Sequence, residues 1–417
     1  MQREALKVLT HLQTGLVRII GSLLQLGLSL VLAHIGGTAL LGRFLFFVAI
    51  VNLCVAIGGG MPSLMLRYAS RDSVDRNPEV GWLWRHSLEL SLLCCVVGVG
   101  FGLAGNAFVR DAALAVGGLL VQRLSSAVVK SIGRPNLGVL LDAAFYPLVV
   151  LAFALVTNAG SESVTIEGLR LSYVASIWGA AIVGVLLPWR SRNAVRSALS
   201  APRRTARAMY VEIAAVTLGA AAQAVTANAP LTLAPLFLSD AEIGEFGLAL
   251  RVAGFATTIL ISLAAYFGPA FARAESAEEL RQLRRRSQYA CLILYLPVPA
   301  ALLACPTVWL EQISEGLGSI KGLVLLLSVG YLVNAATGLA PTLLIMRGWA
   351  SNFSRIRVVA ATLTVCVLLV GGSVGGAAGM ALGTSAAMTV ENLWMFGSSS
   401  RRLRTMTTHP AVGSARS

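Results

Sequence analysis

The run GLVRIIGSLLQLGLSLVLAHIGG, residues 15–37, decides the fold class of this chain. A bilayer core about 30 Å thick is crossed by roughly 20 apolar residues in a helix. The run has that length and carries Arg18 as its one permanent charge. It is therefore predicted to be a first membrane span.

The composition of the whole chain extends this prediction. Of 417 residues, 56% are hydrophobic and only 12% are charged, and the mean hydropathy is +0.76. These values indicate an all-α polytopic membrane protein. About twelve spans are predicted by hydropathy, at 14–35, 39–60, 86–106, 111–132, 137–157, 166–188, 209–230, 241–268, 289–305, 320–343, 354–371 and 376–397.

The net charge of +14 follows the loops. Most of the 33 Lys and Arg lie at the chain ends or in the loops on one predicted side, whereas the opposite loops hold only Arg43, Arg110, Arg170 and Lys321 together with eight acids. By the positive-inside rule the basic side is cytoplasmic and includes both termini. Topology and lipid headgroups account for this charge, so no nucleic-acid partner is expected.

Residues typical of enzymes and metal sites are scattered. The cysteines lie in or beside apolar segments, and the histidines have no ligand spacing, so neither a disulfide nor a metal is expected. The longest outward loops, 158–165 and 306–319, carry no catalytic cluster, and no phosphate-binding loop or zinc-protease motif is present. No catalytic residue and no cofactor are predicted.

A basic segment divides the chain in two. We predict a six-helix lobe at 1–189, a cytoplasmic linker at 190–208, a second six-helix lobe at 209–400 and a basic tail at 401–417. A weak repeat supports the division, since Gly42-x-Phe44 matches Gly244-x-Phe246, and Pro62 and Arg67 align with Pro269 and Arg273. Such parallel repeats are typical of transporters that bind substrate in a central cavity.

Glycines and prolines inside the spans indicate close packing and bending. Gly375, Gly379 and Gly383 fall four apart and predict a smooth helix face that another backbone can approach. Prolines inside spans predict kinks, either static or acting as gating hinges, whose freed carbonyls need partners within the protein. These prolines are Pro147, Pro297, Pro299 and Pro341.

Two stretches resemble the polysaccharide and O-antigen flippases of the multidrug/oligosaccharidyl-lipid/polysaccharide exporter superfamily. The first is TGLVRIIG…LRYASRD (14–72), with its Gly-rich turn, G-x-F and G-x-P, and the second is IGEFGLALR…FGPAFAR (243–273). The resemblance implies a twelve-helix transporter of the bacterial inner membrane with two lobes. It would flip undecaprenyl-pyrophosphate-linked oligosaccharide to the periplasmic leaflet by alternating access, for surface polysaccharide biosynthesis. The implied partners are this lipid-linked substrate, membrane lipids and a polysaccharide polymerase.

Three arginines inside the spans are candidate substrate-binding residues. Arg18 lies about 6 Å from the cytoplasmic edge and could either extend to headgroups or line the mouth of a cavity. Arg123 and Arg251 lie near mid-bilayer, where a charge costs at least about 2.5–3.5 kcal/mol. For Arg123, a structural ion pair with Asp142 is the favoured interpretation.

Arg251 has no acid at matched depth in its own half, because Glu212 and Glu391 lie nearer the cytoplasmic edge. It is therefore predicted to contact substrate phosphate, which guanidinium binds bidentately. The alternative function is a cation-coupled drug exporter of the same superfamily. Its usual acid in the first span is missing from 14–35, so Asp142, Glu391 or Glu212 would have to couple the cation. A membrane glycan polymerase or ligase is a third, less favoured function.

Overall fold

A computed structural model describes residues 2–62, 64, 65, 78–131, 134–160, 163–187, 206–304, 308, 311, 312 and 320–408. Within these ranges the secondary structure is helical, with no strand. The helices are α1 (Gln2–Cys54), α2 (Pro78–Leu103), α3 (Ala107–Ser131), α4 (Pro135–Ala143), α5 (Phe145–Ala159), α6 (Ile166–Leu186), α7 (Ala206–Leu233), α8 (Asp240–Arg273), α9 (Ala277–Tyr295), α10 (Pro297–Ala304), α11 (Ile320–Thr337), α12 (Ala340–Met346) and α13 (Ala350–Thr408). Short 3₁₀ turns follow α1 and α7.

The helices confirm a multi-pass membrane protein. Among the described residues, seven helices are long and apolar enough to cross a bilayer, or eight if α4 and α5, bent by 42°, form one span. Two of them, α1 and α13, are each interrupted by glycine in a non-helical conformation and so hold two arms. Every predicted span falls on a described helix, helix pair or helix arm.

Glycine makes the breaks within α1 and α13 possible. Gly37 has φ 74° and ψ 172°, and Gly376 has φ 52° and ψ −133°. Side chains with a Cβ rarely adopt such angles, because the Cβ collides with neighbouring backbone. The Gly-rich turn after the first span is therefore a requirement of the backbone.

The arms of α13 pack as closely as the glycine spacing predicts, with one correction. A Cβ built on Gly379 would overlap the carbonyl oxygen of Gly371, and one on Gly383 would lie 3.1 Å from the carbonyl oxygen of Val367. Gly375 was predicted to share this face, and that prediction is wrong. It lies at the break itself, where a Cβ would meet nothing within 4 Å.

The predicted proline kinks occur at three places. The break between α4 and α5 lies at Ala144, that between α9 and α10 at Leu296, and that between α11 and α12 at Gly338 and Leu339. Each lies one to three residues before a proline, as expected from the missing N–H and the clash of the ring with the preceding turn. Pro299 causes no separate break, since it lies inside α10 just after Pro297.

Clustering of contacts divides the chain into two compact units. One comprises Met1–Gly15, Ala249–Leu310 and Gly318–Ser417, and the other Leu16–Leu248 and Glu311–Leu317. The first has a core around Leu344, Ile356 and Met395, and the second around Met65, Leu83, Leu124 and Val128.

The predicted lobes at 1–189 and 209–400 remain a prediction, because contact clustering does not test for a sequence repeat. Residues 190–205 of the predicted linker, 409–417 of the predicted tail and Arg67 lie outside the described residues. The first part of the predicted tail is helical, since α13 continues to Thr408.

Candidate functional site

A polar cluster lies where α3 packs against the junction of α4 and α5. Lys130 forms an ion pair with Asp142, and the Ser126 hydroxyl donates to Asp142 Oδ2 at 2.6 Å. The other carboxylate oxygen, Oδ1, is buried and has no hydrogen-bond partner among the described residues. Arg18 and Arg123 attract the same carboxylate electrostatically. Among the described residues, the Asp142 carboxylate thus has one ion-pair partner, Lys130, and a longer-range attraction to two arginines.

The structure changes the expected partner of Arg123. Its Nη2 donates to Asn52 Oδ1 at 2.8 Å, and Asn52 is in turn oriented by its amide, which donates to the Val48 carbonyl at 3.0 Å. The predicted Arg123–Asp142 ion pair is therefore replaced by Lys130–Asp142. Depth paired Arg123 with Asp142, but Lys130, two helical turns further along α3, reaches the carboxylate instead.

Two glutamines satisfy carbonyl groups at the helix junction. A proline has no N–H for the carbonyl four residues earlier, so Pro147 leaves that of Ala143 free. Gln25 of α1 donates to this Ala143 oxygen at 3.5 Å. Gln122 of α3 donates to the Leu141 oxygen at 2.5 Å. The junction is thus held by side chains of the helices on either side, as the expectation for freed carbonyls requires.

Arg18 is placed at this junction by a glycine on the next turn of α1. A Cβ built on Gly21 would lie 2.8 Å from the Cβ of Ala143, so only glycine allows α1 to pack this closely. Arg18 is partly buried in this arrangement. Both interpretations of Arg18, as a side chain extended to headgroups and as a residue at the mouth of a cavity, remain predictions.

Arg251 belongs to the other unit. It lies on α8 and is partly buried. One turn further on, a Cβ built on Gly254 would lie 3.1 Å from the hydroxyl oxygen of Tyr331 on α11. Its predicted contact with substrate remains a prediction.

Of the two remaining candidate acids, the structure describes the side chain of Glu391 but not that of Glu212. Glu391 is buried and pairs with Arg357 across the arms of α13, with Arg357 Nη1 and Glu391 Oε1 2.8 Å apart. The guanidinium also lies over the Phe353 ring, 5.2 Å from its centroid. Glu212 is on α7, but its side chain lies outside the described residues.

A buried ion pair connects α3 and α6. The sequence analysis counted its residues among the loops. Asp111 is 1% exposed and lies 3.2 Å from Arg170 Nε and 2.9 Å from Arg110 Nε. The sequence does carry a signal, because α3 begins at Ala107 and α6 at Ile166, so Asp111 and Arg170 each lie four residues inside a helix. Equal depth on neighbouring helices predicts a pair.

The repeated G-x-F motifs meet each other. A Cβ built on Gly42 of α1 would overlap the carbonyl oxygen of Asp240 on α8, and one on Gly244 would overlap that of Thr38. Each glycine thus contacts the residue four positions before the other, so the contact is reciprocal. The motif phenylalanines, Phe44 and Phe246, are both fully buried.

An ion pair lies beside this crossing. Arg43 Nε and Asp240 Oδ2 are 2.7 Å apart, and both side chains are largely exposed. Exposed pairs contribute at most about 1 kcal/mol. The ion pair therefore adds less to the contact than the close approach of the backbones does.

Comparison with solved structures places this architecture. The inward-facing conformation of a multidrug resistance MATE family transporter of the MOP superfamily superposes with TM-score 0.69 and 15% identity, covering 95% of this chain and 100% of that one. The chain shares the fold of this transporter. Within this fold it is also similar to the lipid II flippase MurJ in an inward closed conformation, with TM-score 0.68, 10% identity and coverage of 96% and 93%.

A third MOP structure is a transporter from Pyrococcus furiosus, whose description reports a binding pocket of reversed polarity that suggests a different function. It superposes with TM-score 0.61 and 15% identity over 95% of this chain and 96% of that one. No protein-family model matches the chain, and no curated protein matches it in sequence. At these identities the MOP likeness describes the fold alone.

Proposed function

We propose that the chain is a lipid-linked oligosaccharide flippase of the bacterial inner membrane. It moves undecaprenyl-pyrophosphate-linked glycan from the cytoplasmic to the periplasmic leaflet by alternating access, for surface polysaccharide biosynthesis. Both termini are cytoplasmic in this proposal, no enzymatic reaction is involved, and a polysaccharide polymerase takes up the product.

The observation that carries the proposal is the surplus of positive charge around Asp142. Lys130 neutralises that carboxylate, and Arg18 and Arg123 then remain as two further cations inside a helical bundle. Uncompensated charge in a low-dielectric interior is costly unless a counter-charge arrives. A transported pyrophosphate supplies that counter-charge, whereas a cationic drug would add to the repulsion.

The side chains suit phosphate chemically. A guanidinium stays charged at any physiological pH and donates two parallel hydrogen bonds to phosphate oxygens. Asn52 holds Arg123 by one Nη atom only, so other N–H groups of Arg123 can serve a ligand. The bent α4–α5 span beside the cluster is suited to be a hinge, because side-chain amides replace its missing backbone hydrogen bonds.

Arg251 is proposed as the phosphate contact of the second half. It keeps the role that the sequence predicts, a cation near mid-bilayer on α8. With one cationic site in each half, a substrate can remain bound to charge while the protein changes conformation.

The test is lipid analysis of cells that lack the protein. Mass spectrometry should find a pyrophosphate-linked oligosaccharide that accumulates without the gene and clears when the gene is restored. Restoration with Arg123→Gln or Arg251→Gln should leave the lipid in place, while Arg85→Gln, a change at an exposed arginine on α2, should clear it. Membrane abundance and thermal denaturation of each variant separate loss of transport from loss of folding.

An unchanged lipid profile in cells with no redundant transporter would remove the flippase proposal. Clearance by a folded Arg123→Gln or Arg251→Gln variant would instead remove that residue from the mechanism and leave the function standing.

One observation favours the cation-coupled exporter as the second candidate. Asp142 Oδ1 is buried without a hydrogen-bond partner in the described part of the chain, and a proton or metal cation could occupy that position. Everted vesicles distinguish the two functions. A cationic dye that accumulates only with an imposed ion gradient, and that Asp142→Asn abolishes, would favour the exporter.

A further inference from the structure

The ends of the α13 hairpin enclose a cavity that the proposed function does not use. Its volume is about 470 Å³, and it lies between the first turn of α13 and residues 393–405 near the end of the same helix. The lining residues that matter are Asn352, Trp394, Gly397, Ser398, Arg401 and Arg402. All of them belong to one compact unit.

The cavity carries two positive charges without a counter-charge. Arg401 and Arg402 are both exposed, and among the described residues neither guanidinium forms an ion pair or a hydrogen bond. The cavity lining contains no acid. Two adjacent guanidinium groups repel each other, so an anion bound between them relieves the repulsion as well as forming hydrogen bonds.

Two turns before these arginines on the same helix, the cavity lining is apolar and faces outward. Leu393 and Trp394 are 52% and 46% exposed. Tryptophan is enriched at the boundary between hydrocarbon and headgroups. Arg402 lies eight residues further along the helix, roughly 12 Å at 1.5 Å per residue, which places it at headgroup level. A ligand that contacts both the arginines and this apolar part is therefore anionic at one end and apolar at the other.

We propose that this cavity binds an anionic phospholipid of the leaflet in which it lies. Its headgroup phosphate binds Arg401 and Arg402, Ser398 and Asn352 offer further hydrogen bonds, and an acyl chain lies along Leu393 and Trp394. A free phosphate would use the arginines but not the apolar wall, which is why the lipid is the chosen source. This site would bind a resident lipid, and the proposal does not depend on which substrate the protein transports.

The experiment is native mass spectrometry of the full-length protein in detergent, titrated with defined ligands. Phosphatidylglycerol should bind, and phosphatidylcholine, whose headgroup has no net charge, should bind much more weakly. Inorganic phosphate and pyrophosphate form the third arm and test a soluble source of the same chemistry.

Removing the charges should remove the lipid. An arginine near the membrane surface contributes about 1 kcal/mol to binding of an anionic lipid, so Arg401→Gln with Arg402→Gln should weaken phosphatidylglycerol about thirtyfold. The matched control is Arg285→Gln with Arg286→Gln. That pair is also adjacent and exposed, but it lies on α9 and outside the cavity lining.

Filling the cavity gives a second test that keeps both charges. A Cβ built on Gly397 meets nothing within 4 Å, so Gly397→Leu should be accommodated and should occupy the space. It should weaken phosphatidylglycerol at least tenfold without lowering the thermal midpoint, because leucine favours a helix more than glycine does.

Three outcomes would overturn the proposal. Equal weakening by the control pair would show attraction to net charge rather than a site. Unchanged affinity in both cavity variants would place the lipid elsewhere. Binding of phosphate or pyrophosphate with the same dependence on Arg401 and Arg402, without binding of phosphatidylglycerol, would assign the cavity to a soluble anion.

Discussion

Asp142 and Glu391 are both acids within the membrane-spanning part of the chain, and their surroundings differ in charge balance. Glu391 is 4% exposed and has one partner, Arg357, at 2.8 Å. The Asp142 side chain is 28% exposed, pairs with Lys130 and attracts two further arginines. Among the described residues, one acid is neutralised one to one, whereas the other interacts with a paired lysine and, at longer range, with two arginines.

Charge balance therefore separates a structural ion pair from a candidate binding site. A buried one-to-one pair leaves no charge for a ligand to satisfy, so it is a structural contact between the two arms of α13. A cluster with surplus cations is incomplete without an anion. The sequence placed Asp142 and Glu391 in the same category, and only their partners distinguish them.

The largest expected effect tests the structural side of this comparison. Glu391→Ala should destabilise the protein by about 3–5 kcal/mol, because Arg357 is left buried without its counter-charge. Folded protein after detergent extraction and its thermal midpoint measure the loss.

The matched control removes both charges at once. Arg357→Met with Glu391→Leu should be close to wild type in stability, since no charge remains buried alone. A stable Glu391→Ala variant would contradict a structural role for Glu391 and would favour a role in cation coupling.

The next largest effect concerns function rather than folding. Hydrogen bonds to charged groups contribute about 1.5–3 kcal/mol, so loss of one phosphate contact in Arg123→Gln should lower flipping about tenfold to a hundredfold. Transport of pyrophosphate-linked lipid in proteoliposomes measures the rate. Arg123→Lys should recover part of it, and a normal rate in Arg123→Gln would assign Arg123 to structure.

A smaller effect is expected for Asp142→Asn, and the direction of the change in affinity is what makes it informative. Removing the single carboxylate raises the positive charge of the cluster, so affinity for a pyrophosphate-linked lipid should increase several-fold, at a cost in stability of about 1–2 kcal/mol. Equilibrium binding to the purified variant tests this. Weaker binding of the anion would mean that Asp142 itself organises the site.

The smallest effect is expected for Ser126→Ala, at the hydrogen bond beside Asp142. Ser126→Ala removes the hydroxyl that donates to Asp142 at 2.6 Å and lies 2.9 Å from the Gly138 carbonyl. Because the carboxylate keeps Lys130 as its ion-pair partner, loss of this hydroxyl should cost only about 0.5–1.5 kcal/mol, with little change in transport. A thermal-shift measurement beside the flipping assay compares the two, and a large loss of transport would extend the functional cluster to Ser126.

Much of the fold follows from the sequence, because its signals are local. Apolar length gives the spans, Gly37 and Gly376 mark helix breaks that need positive φ, and Pro147, Pro297 and Pro341 mark the other breaks. Each of these depends on covalent geometry or on bilayer thickness. None of these signals depends on which helices become neighbours.

The partners of charged residues are less accessible from sequence. Depth alone paired Arg123 with Asp142, whereas the rotation of α3 about its axis brings Lys130 to the carboxylate and turns Arg123 toward Asn52. Asp111 was assigned to a loop because its helix begins earlier than hydropathy indicated. Helix rotation and helix ends arise from packing, which a hydropathy profile does not contain.

The reciprocal crossing of Gly42 and Gly244 has a consequence for how this protein can evolve. A larger side chain at one contact is often rescued by a smaller one opposite, but here both positions already hold the smallest residue. No second-site substitution at the crossing can make room, so relief has to come from moving a whole helix. Gly42 and Gly244 can therefore be replaced only when the helices around them also move.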